Sequence, residues 1–278
     1  SYSTSSTALL IDLSGGASQG EEAEGDVLQN IEVVEATSFN DTIIAGQSGS
    51  TILGGAGDDL IYSGAGADSL SGGAGSDTVS YALSNEGVYV NLATREMRGG
   101  YAEGDTLDGV EKIVGSEFDD TIIGTSYSDT LYGGAGNDII SGNKSSTSYS
   151  DYIDGGDGFD LVSYESSNTR LQVNAITNIH LGAASGDTLV SIEGFIGTNL
   201  GDSFVASSEA NYFDGGAGND TVDYSYSNEG VTINLATGEM RGGYAEGDTL
   251  KNIEAFYGSS YDDHFIMGDD YKNVSSLQ

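Results

Sequence analysis

The sequence contains no cysteine and no proline, and only 8 of its 278 residues are lysine or arginine. Without cysteine, neither a disulfide framework nor a thiolate metal site can stabilise the fold. The scarcity of basic residues argues against a nucleic-acid partner. No apolar run approaches the roughly 18 residues of a membrane span, so membrane insertion is not expected. Oxygen is the ligand type that remains for a metal site.

Acidic residues dominate the charge, since 44 Asp and Glu give a formal net charge of −36. Such a chain is either disordered or folded around divalent metal ions that offset the repulsion between carboxylates. The 17 Tyr and 8 Phe, and 43 Gly that recur at a fixed period without proline, favour the folded alternative.

A nonapeptide of the form G-G-x-G-x-D-x-U-x, in which U is apolar, recurs in three runs, residues 41–80, 120–160 and 202–223. Glycine permits turns with positive φ, and the D-x-U segment predicts a short strand with its apolar residue pointing inward. The residues that we assign to this inward set are Leu60, Leu70, Val79, Ile122, Leu131, Ile139, Leu161 and Val222.

Longer units separate the runs and are copies of one another. The string EMRGGYAEGDTL occurs at residues 96–107 and again at 239–250. We expect residues 1–160 to form one half of a repeat fold and residues 161–278 the other, or the two to form one continuous solenoid. The predicted parts are a truncated first unit, long units at 77–120, 161–202 (diverged) and 220–263, and a C-terminal tail.

Turns stacked at the strand spacing of about 4.8 Å would bring aspartates together, where they repel until a hard cation bridges them. Calcium fits such oxygen sites, with turn carbonyls as neutral ligands, and several ions are expected. The alternative is a metal-free glycine-rich array with solvated aspartates. The predicted ligand residues are Asp41, Gly55, Gly57, Asp59, Gly64, Gly66, Asp68, Gly73, Gly75, Asp77, Asp120, Asp129, Gly134, Gly136, Asp138, Asp151, Gly156, Gly158, Asp160, Asp202, Gly216, Gly218, Asp220 and Asp263.

Some positions are ambiguous. Ser50 and Asn211 stand where other turns have aspartate, so these turns are expected to be empty or weak. The A-E-G-D turns and their relatives are either further calcium ligands or exposed acidic turns. Their acidic residues are Glu24, Asp26, Glu103, Asp105, Asp187, Glu246 and Asp248.

The nonapeptides resemble the repeats-in-toxin (RTX) family. This resemblance implies an all-β, right-handed parallel β-roll in which two nonapeptides make one coil and calcium ions lie between coils. Asp41, Asp59 and Asp77 would then stack on one edge and bind more tightly than the edge where Ser50 adjoins Asp68. It also implies type I secretion to the cell surface or the extracellular medium.

The long units resemble the RTX modules of mannuronan C5-epimerases and of secreted bacterial adhesins such as the rhizobial adhering proteins. That resemblance implies calcium-dependent binding of an acidic extracellular polysaccharide. Arg98 with Tyr101, and Arg241 with Tyr244, are the candidate sugar contacts. Alternatively, each arginine pairs with a local glutamate and each tyrosine packs on the sheet.

No group of residues suggests catalysis, because the two histidines lie in different repeats without a recurring nucleophile, and we expect no enzyme. We expect a monomer or weak self-association. Besides an adhesin or lectin-like binder, two functions remain open: a noncatalytic module of a larger polysaccharide-modifying enzyme, and a purely structural or secretion-supporting segment.

Overall fold

The structure, a computed structural model, describes residues 1–143 and 148–266. Regular structure there consists of short strands and three single-turn 3₁₀ helices, Glu21–Ala23, Gly100–Ala102 and Gly243–Ala245. None of the helical segments in the described residues has the length and hydrophobicity needed to cross a membrane. The all-β expectation is confirmed, while the predicted C-terminal tail beyond residue 266 lies outside the described residues.

Most strands are three residues long, and four strands that continue through a G-G pair are six. The strands up to residue 160 are β1 (Leu10–Asp12), β2 (Val33–Glu35), β3 (Thr42–Ile44), β4 (Thr51–Ala56), β5 (Leu60–Tyr62), β6 (Ser69–Ala74), β7 (Thr78–Ser80), β8 (Tyr89–Asn91), β9 (Glu96–Arg98), β10 (Thr106–Asp108), β11 (Lys112–Val114), β12 (Thr121–Ile123), β13 (Thr130–Ala135), β14 (Ile139–Ser141) and β15 (Tyr152–Asp157). The later strands are β16 (Leu161–Ser163), β17 (Leu171–Asn174), β18 (Leu181–Gly182), β19 (Thr188–Val190), β20 (Gly194–Ile196), β21 (Ser203–Val205), β22 (Tyr212–Asp214), β23 (Thr221–Asp223), β24 (Thr232–Asn234), β25 (Glu239–Arg241), β26 (Thr249–Lys251), β27 (Ala255–Tyr257) and β28 (His264–Ile266).

The chain forms two compact units. Unit 1 comprises residues 1–142, 151–160 and 189–191, and unit 2 comprises residues 143–150, 161–188 and 192–278. In unit 1 one parallel sheet has the order β1-β3-β5-β7-β11-β13-β15, and a second has the order β10-β6-β4-β2. In unit 2 the orders are β26-β22-β20-β16 and β17-β21-β23-β27.

Strands of one sheet are alternate strands of the sequence, as expected for a parallel β-roll. Thr42 pairs with Leu60 and Leu60 with Thr78, so neighbours within this sheet lie 18 residues, or two nonapeptides, apart. Between these strands the chain passes through β4 and β6, which pair with each other in the second sheet. Each coil therefore contributes one strand to each sheet, and every coil ends in a tight turn.

These turns require glycine because the backbone adopts a positive φ and because there is no room for a side chain. Gly55 and Gly57 adopt φ values of 114° and 111°, which other L-residues rarely adopt. A Cβ on Gly57 would also lie 2.5 Å from the backbone carbon of Phe39 in the neighbouring coil. The glycines at the second and fourth positions of the nonapeptide thus allow close stacking of the coils.

The core of unit 1 is a ladder of aliphatic side chains, one from each strand. Ile43, Ile61 and Val79 of one sheet, and Ile52 and Leu70 of the other, are at most 1% exposed. Burial of each such side chain contributes about 1.5–3 kcal/mol. Because each short strand supplies only one buried side chain, the stability of the fold depends on the stacking of successive coils.

The predicted inward set is wrong at three positions. Leu60 and Leu161 are only half-buried and Ile139 is 38% exposed, because these residues directly follow the turn aspartate. Side chains alternate along a strand, so it is the second residue after the aspartate that points inward. In these three strands the buried residues are Ile61, Val162 and Ile140.

The long units extend the sheets of the nonapeptide runs, as expected. In unit 1, β11 pairs with both β7 and β13, and β10 pairs with β6. Each conserved copy also adds an antiparallel hairpin, β8–β9 in unit 1 and β24–β25 in unit 2. The diverged copy has a shorter hairpin, β17–β18.

Candidate metal centres

Aspartates of successive coils stack in a column. The N–H of Asp41 donates to Oδ1 of Asp59 over 2.7 Å, and the N–H of Asp59 donates to Oδ1 of Asp77 over 2.8 Å. All three residues are at most 1% exposed. The stacking expected for Asp41, Asp59 and Asp77, which we call the first column, is therefore observed. One oxygen of each carboxylate is held by the backbone of the preceding coil.

The other carboxylate oxygen is buried without a hydrogen-bond partner among the described residues. This holds for Oδ2 of Asp59, Asp77, Asp138 and Asp220. A buried carboxylate oxygen without a hydrogen bond or a cation costs several kcal/mol. The open oxygen recurs in these four aspartates, which follow complete G-G turns, and it fits a bound cation. In Asp41, Asp120 and Asp202 the same oxygen instead accepts the N–H of the residue four positions earlier.

The orphan oxygen faces a space that also contains a backbone carbonyl of the next coil. A Cβ added to Gly54 would overlap Oδ2 of Asp59 and lie 2.6 Å from the carbonyl oxygen of Gly72. A Cβ on Gly133 would likewise overlap Oδ2 of Asp138 and the carbonyl oxygen of Gly155. The first glycine of each nonapeptide therefore leaves room where a carboxylate and a carbonyl from two coils converge, which is a donor set suited to calcium.

The sequence analysis selected the glycines at the second and fourth positions of the nonapeptide as ligand residues, and it missed the glycine at the first position. All of the predicted glycines except Gly64 lie in turns and have a positive φ. They are Gly55, Gly57, Gly66, Gly73, Gly75, Gly134, Gly136, Gly156, Gly158, Gly216 and Gly218. The signal for the first glycine was its recurrence in the G-G pair although only the second glycine of the pair adopts a positive φ.

Burial makes these carboxylates weak acids. It raises the pKa of Asp59, Asp138 and Asp220 from the ordinary 3.8 to about 7, opposed by the backbone hydrogen bond and reinforced by neighbouring acidic groups. Without a cation the columns would therefore hold protons near neutral pH. A bound divalent ion would neutralise the carboxylates in place of these protons.

No three acidic or histidine side chains converge as a possible metal site within the described residues. The oxygens that the turns do bring together are a carboxylate oxygen and a backbone carbonyl oxygen, as at Asp59 and Gly72. A mixed set of carboxylate and carbonyl oxygens is a ligand set that calcium accepts.

The column that contains Ser50, Asp68 and Asp105, which we call the second column, differs from the first. The N–H of Ser50 donates to Asp68, and the N–H of Asp68 donates to Asp105, over 2.6 and 2.8 Å. The remaining oxygen of Asp105 accepts bonds from Ser63 Oγ, over 2.8 Å, and from Tyr81 Oη. That of Asp68 accepts the N–H of Gly64 and lies 3.2 Å from Ser63 Oγ. Protein hydroxyls here take the place that is open in the first column, which favours tighter ion binding in the first.

Other predicted aspartates occupy equivalent positions. Asp120, Asp138 and Asp160 form a third column in unit 1, through bonds of 2.8 Å at each step. Beside it, the N–H of Asp129 donates to Asp151 over 3.0 Å. In unit 2 the corresponding bonds are Asp202 N–H to Asp220, Asn211 N–H to Asp248 and Val231 N–H to Asp263.

The A-E-G-D turns separate their two carboxylates. Glu103 is exposed and accepts a bond from the N–H of Gly99, while Asp105 is 3% exposed within the second column. Glu246 and Glu24 accept equivalent bonds from Gly242 and Gly20. The aspartates each accept a tyrosine hydroxyl, in the pairs Tyr2–Asp26, Tyr81–Asp105, Tyr164–Asp187 and Tyr224–Asp248. The glutamates therefore cap their own turn, whereas the aspartates anchor the long unit.

Two column residues escaped sequence reasoning. The N–H of Asp77 donates to Oε2 of Glu111, and that of Asp220 donates to Oε2 of Glu254, both over 2.9 Å. These glutamates occupy the place that aspartate has elsewhere. The available signal was the I-E or V-E pair that follows the A-E-G-D turn in each conserved unit.

The candidate sugar contacts lie on and beside the hairpins. Arg98 forms an ion pair of 2.7 Å with Glu96 and lies 4.8 Å from the ring centre of Tyr89. Arg241 pairs with Glu239 in the same manner. The local Arg–Glu pairing expected as the alternative is thus present, yet both arginine side chains remain more than half exposed.

Tyr101 and Tyr244 lie in the 3₁₀ turns next to these hairpins. Their N–H groups donate to Oγ of Ser84 and Ser227, each over 3.1 Å. The aromatic ring in contact with Arg98 is that of Tyr89, which sequence reasoning did not select.

Comparison with known proteins identifies the repeats. The profile of the RTX calcium-binding nonapeptide repeat matches four segments, residues 46–79, 114–144, 145–163 and 196–225. These segments contain most of the stacked aspartates described above. No curated protein sequence gives a significant match.

Proposed function

Since the chain is an RTX protein whose nonapeptide repeats bind several calcium ions, we propose that it acts outside the cell as a noncatalytic, calcium-dependent binder of acidic polysaccharide. RTX repeat proteins are typically secreted by the type I route. Extracellular calcium would then load the aspartate columns and allow the coils to stack.

The charge of the molecule makes calcium necessary for such a partner. A protein with a formal net charge of −36 repels a polyanion unless cations lie between them or basic groups are locally exposed. Calcium neutralises the columns and can also bridge carboxylates of the protein and the glycan. Binding would therefore require calcium twice, for the fold and for the contact.

The observation that carries the proposal is the exposed arginine of the two hairpins. Arg98 and Arg241 are two of only 8 basic residues, and both occur in the repeated EMRGGYAEGDTL string. Each forms an ion pair with the neighbouring glutamate, and Arg98 also lies over the ring of Tyr89. A guanidinium group can exchange this partner for a uronate carboxylate with bidentate geometry.

Retention on an immobilised polyuronate such as polygalacturonate tests the proposal. We expect binding in calcium that is lost in chelator, is not restored by magnesium and is absent on neutral dextran. The double variant Arg98→Gln with Arg241→Gln should bind about tenfold more weakly, equivalent to about 1.4 kcal/mol. Circular dichroism in calcium checks that the fold is retained.

Arg95 provides the matched control because it is an exposed arginine in the turn of the same hairpin as Arg98. Arg95→Gln removes one positive charge, as Arg98→Gln alone does, so these two single variants are compared directly, and Arg95→Gln should retain binding. An equal loss in both variants would mean that only overall charge matters. Equal retention on dextran and polyuronate, or no retention in calcium, would refute polysaccharide binding and favour a purely structural role.

A further inference from the structure

The first column does not end with the last nonapeptide aspartate. We propose that Glu111 and Glu254, supplied by the long units, each complete an additional calcium site, formed with Asp77 and Asp220 respectively. These sites lie outside the nonapeptide consensus, which ends at the two aspartates. The inference rests on calcium binding by the turns and is independent of polysaccharide binding.

Strand pairing places each glutamate beside an aspartate. Lys112 pairs with Thr78 on one side and with Thr130 on the other, so Glu111 lies between Asp77 and Asp129 in the sheet. Similarly, Ala255 pairs with Thr221, which puts Glu254 next to Asp220. Each glutamate accepts the aspartate N–H over 2.9 Å, the same contact that joins aspartates within the columns.

The open donor atoms are also the same as in the nonapeptide turns. Oδ2 of Asp77 and of Asp220 is buried without a partner in the described chain, and both residues are 0% exposed. A Cβ on Gly72 would lie 2.5 Å from Oδ2 of Asp77 and would overlap the carbonyl oxygen of Gly109. The carboxylate is thus aimed at a carbonyl of the long unit, where the earlier site has a carbonyl of a nonapeptide.

The second copy repeats this arrangement. A Cβ on Gly215 would overlap the carbonyl oxygen of Asn252 and lie 2.7 Å from the carboxyl carbon of Asp220. Gly109 and Asn252 both adopt left-handed backbone angles, with φ of 59° and 51°. In unit 2 the Asn252 amide further donates to Asp214 over 2.7 Å, which fixes this turn.

A glutamate suits this position chemically. Calcium binds the carboxylate oxygens of aspartate and of glutamate together with neutral oxygens such as backbone carbonyls. At each site the aspartate, the glutamate and the long-unit carbonyl supply oxygens of both kinds. A glutamate that only accepts the aspartate N–H needs no charge, whereas a calcium ligand does. Replacing the carboxylate by an amide therefore separates hydrogen bonding from calcium binding.

The calcium content of Glu111→Gln, Glu254→Gln and the double variant provides the test, measured by equilibrium dialysis at a fixed free calcium concentration. Each single variant should bind one ion fewer, or bind one ion at least tenfold more weakly, and the double variant should lose two. Glu103→Gln and Glu246→Gln are the controls, since these exposed glutamates of the same units only cap a backbone N–H.

Carboxylate labelling of the wild-type protein avoids dependence on variant folding. In calcium-loaded protein, carbodiimide should modify Glu111 at least fivefold more slowly than Glu103, although both side chains are exposed in the structure. Equal labelling, or unchanged calcium content in the glutamine variants, would overturn the proposal. A wild-type protein that binds no calcium would instead contradict calcium binding by the turns themselves.

Discussion

At the scale of single residues, the two oxygens of a turn aspartate have separate tasks. Oδ1 of Asp59 accepts the N–H of Asp41 and so joins two coils, whereas its Oδ2 is buried and open. The first glycine of the same nonapeptide, Gly54, keeps the space beside that oxygen free. A methyl group there would compete directly with a cation.

Gly54→Ala should therefore weaken both folding and calcium binding. The added Cβ would overlap Oδ2 of Asp59 and crowd the carbonyl oxygen of Gly72, and overpacking of this kind costs about 1–3 kcal/mol. Urea denaturation in saturating calcium and the calcium affinity measure the two effects.

Gly46→Ala is the control, because its Cβ would meet no atom closer than 3.3 Å and its backbone angle is also accessible to alanine. An affinity of Gly54→Ala equal to that of Gly46→Ala would show that the space beside Asp59 is not used by an ion.

At the scale of elements, the long unit replaces ions by hydroxyl groups in the second column. It brings Tyr81 and Asp105 together, and in the other copy Tyr224 and Asp248, with the tyrosines fully buried. Burial and the nearby carboxylate raise the pKa of both tyrosines well above its ordinary value, so each hydroxyl remains a donor. The pair thereby satisfies a carboxylate that would otherwise need a cation.

Tyr81→Phe and Tyr224→Phe should each destabilise the calcium-loaded protein by about 1.5–3 kcal/mol, because the buried aspartate loses a hydrogen bond. Thermal or urea denaturation in saturating calcium measures the loss. Tyr62→Phe, on the outer face of β5, is the matched control and should change stability little. A loss no greater than that of the control would mean that water or an ion replaces the hydroxyl at no cost.

At the scale of the whole molecule, calcium and protons compete for the same carboxylates. The net charge of −36 opposes compaction, and the columns concentrate that charge in buried turns. The folded-state pKa of Asp59, Asp138 and Asp220 is about 7, above the ordinary 3.8. Protons therefore stabilise the calcium-free fold in acid, and that contribution is lost as pH rises from about 4 to 7.

We expect the calcium-free protein to be more stable at pH 5 than at pH 8, and calcium to reverse this order. Because the ion needs ionised carboxylates, the calcium concentration that gives half of the folding signal should rise as pH falls below 7. Far-ultraviolet circular dichroism during calcium titrations at several pH values measures both effects. A midpoint independent of pH, or an equal response to magnesium, would contradict this linkage.

The sequence by itself determined the period of the fold and its main ligands. The nine-residue spacing, the G-G pairs and the aspartate before each strand predict stacked parallel strands and a column such as Asp41, Asp59 and Asp77, because local turn geometry and a repeated register leave little freedom. The assignment of Leu60 to the core was wrong because side chains alternate along the strand, and the next residue, Ile61, is the one that points inward.

Only the tertiary structure decided which oxygens remain for an ion. Ser63 and Tyr81 reach the second column from elsewhere in the chain, and Glu111 enters the first column 34 residues after Asp77. These contacts join residues far apart in the sequence, and they depend on where the long unit folds back onto the sheets. The sequence thus determines the aspartate positions, and three-dimensional packing determines which of their oxygens are satisfied by hydroxyl groups and which are left for calcium.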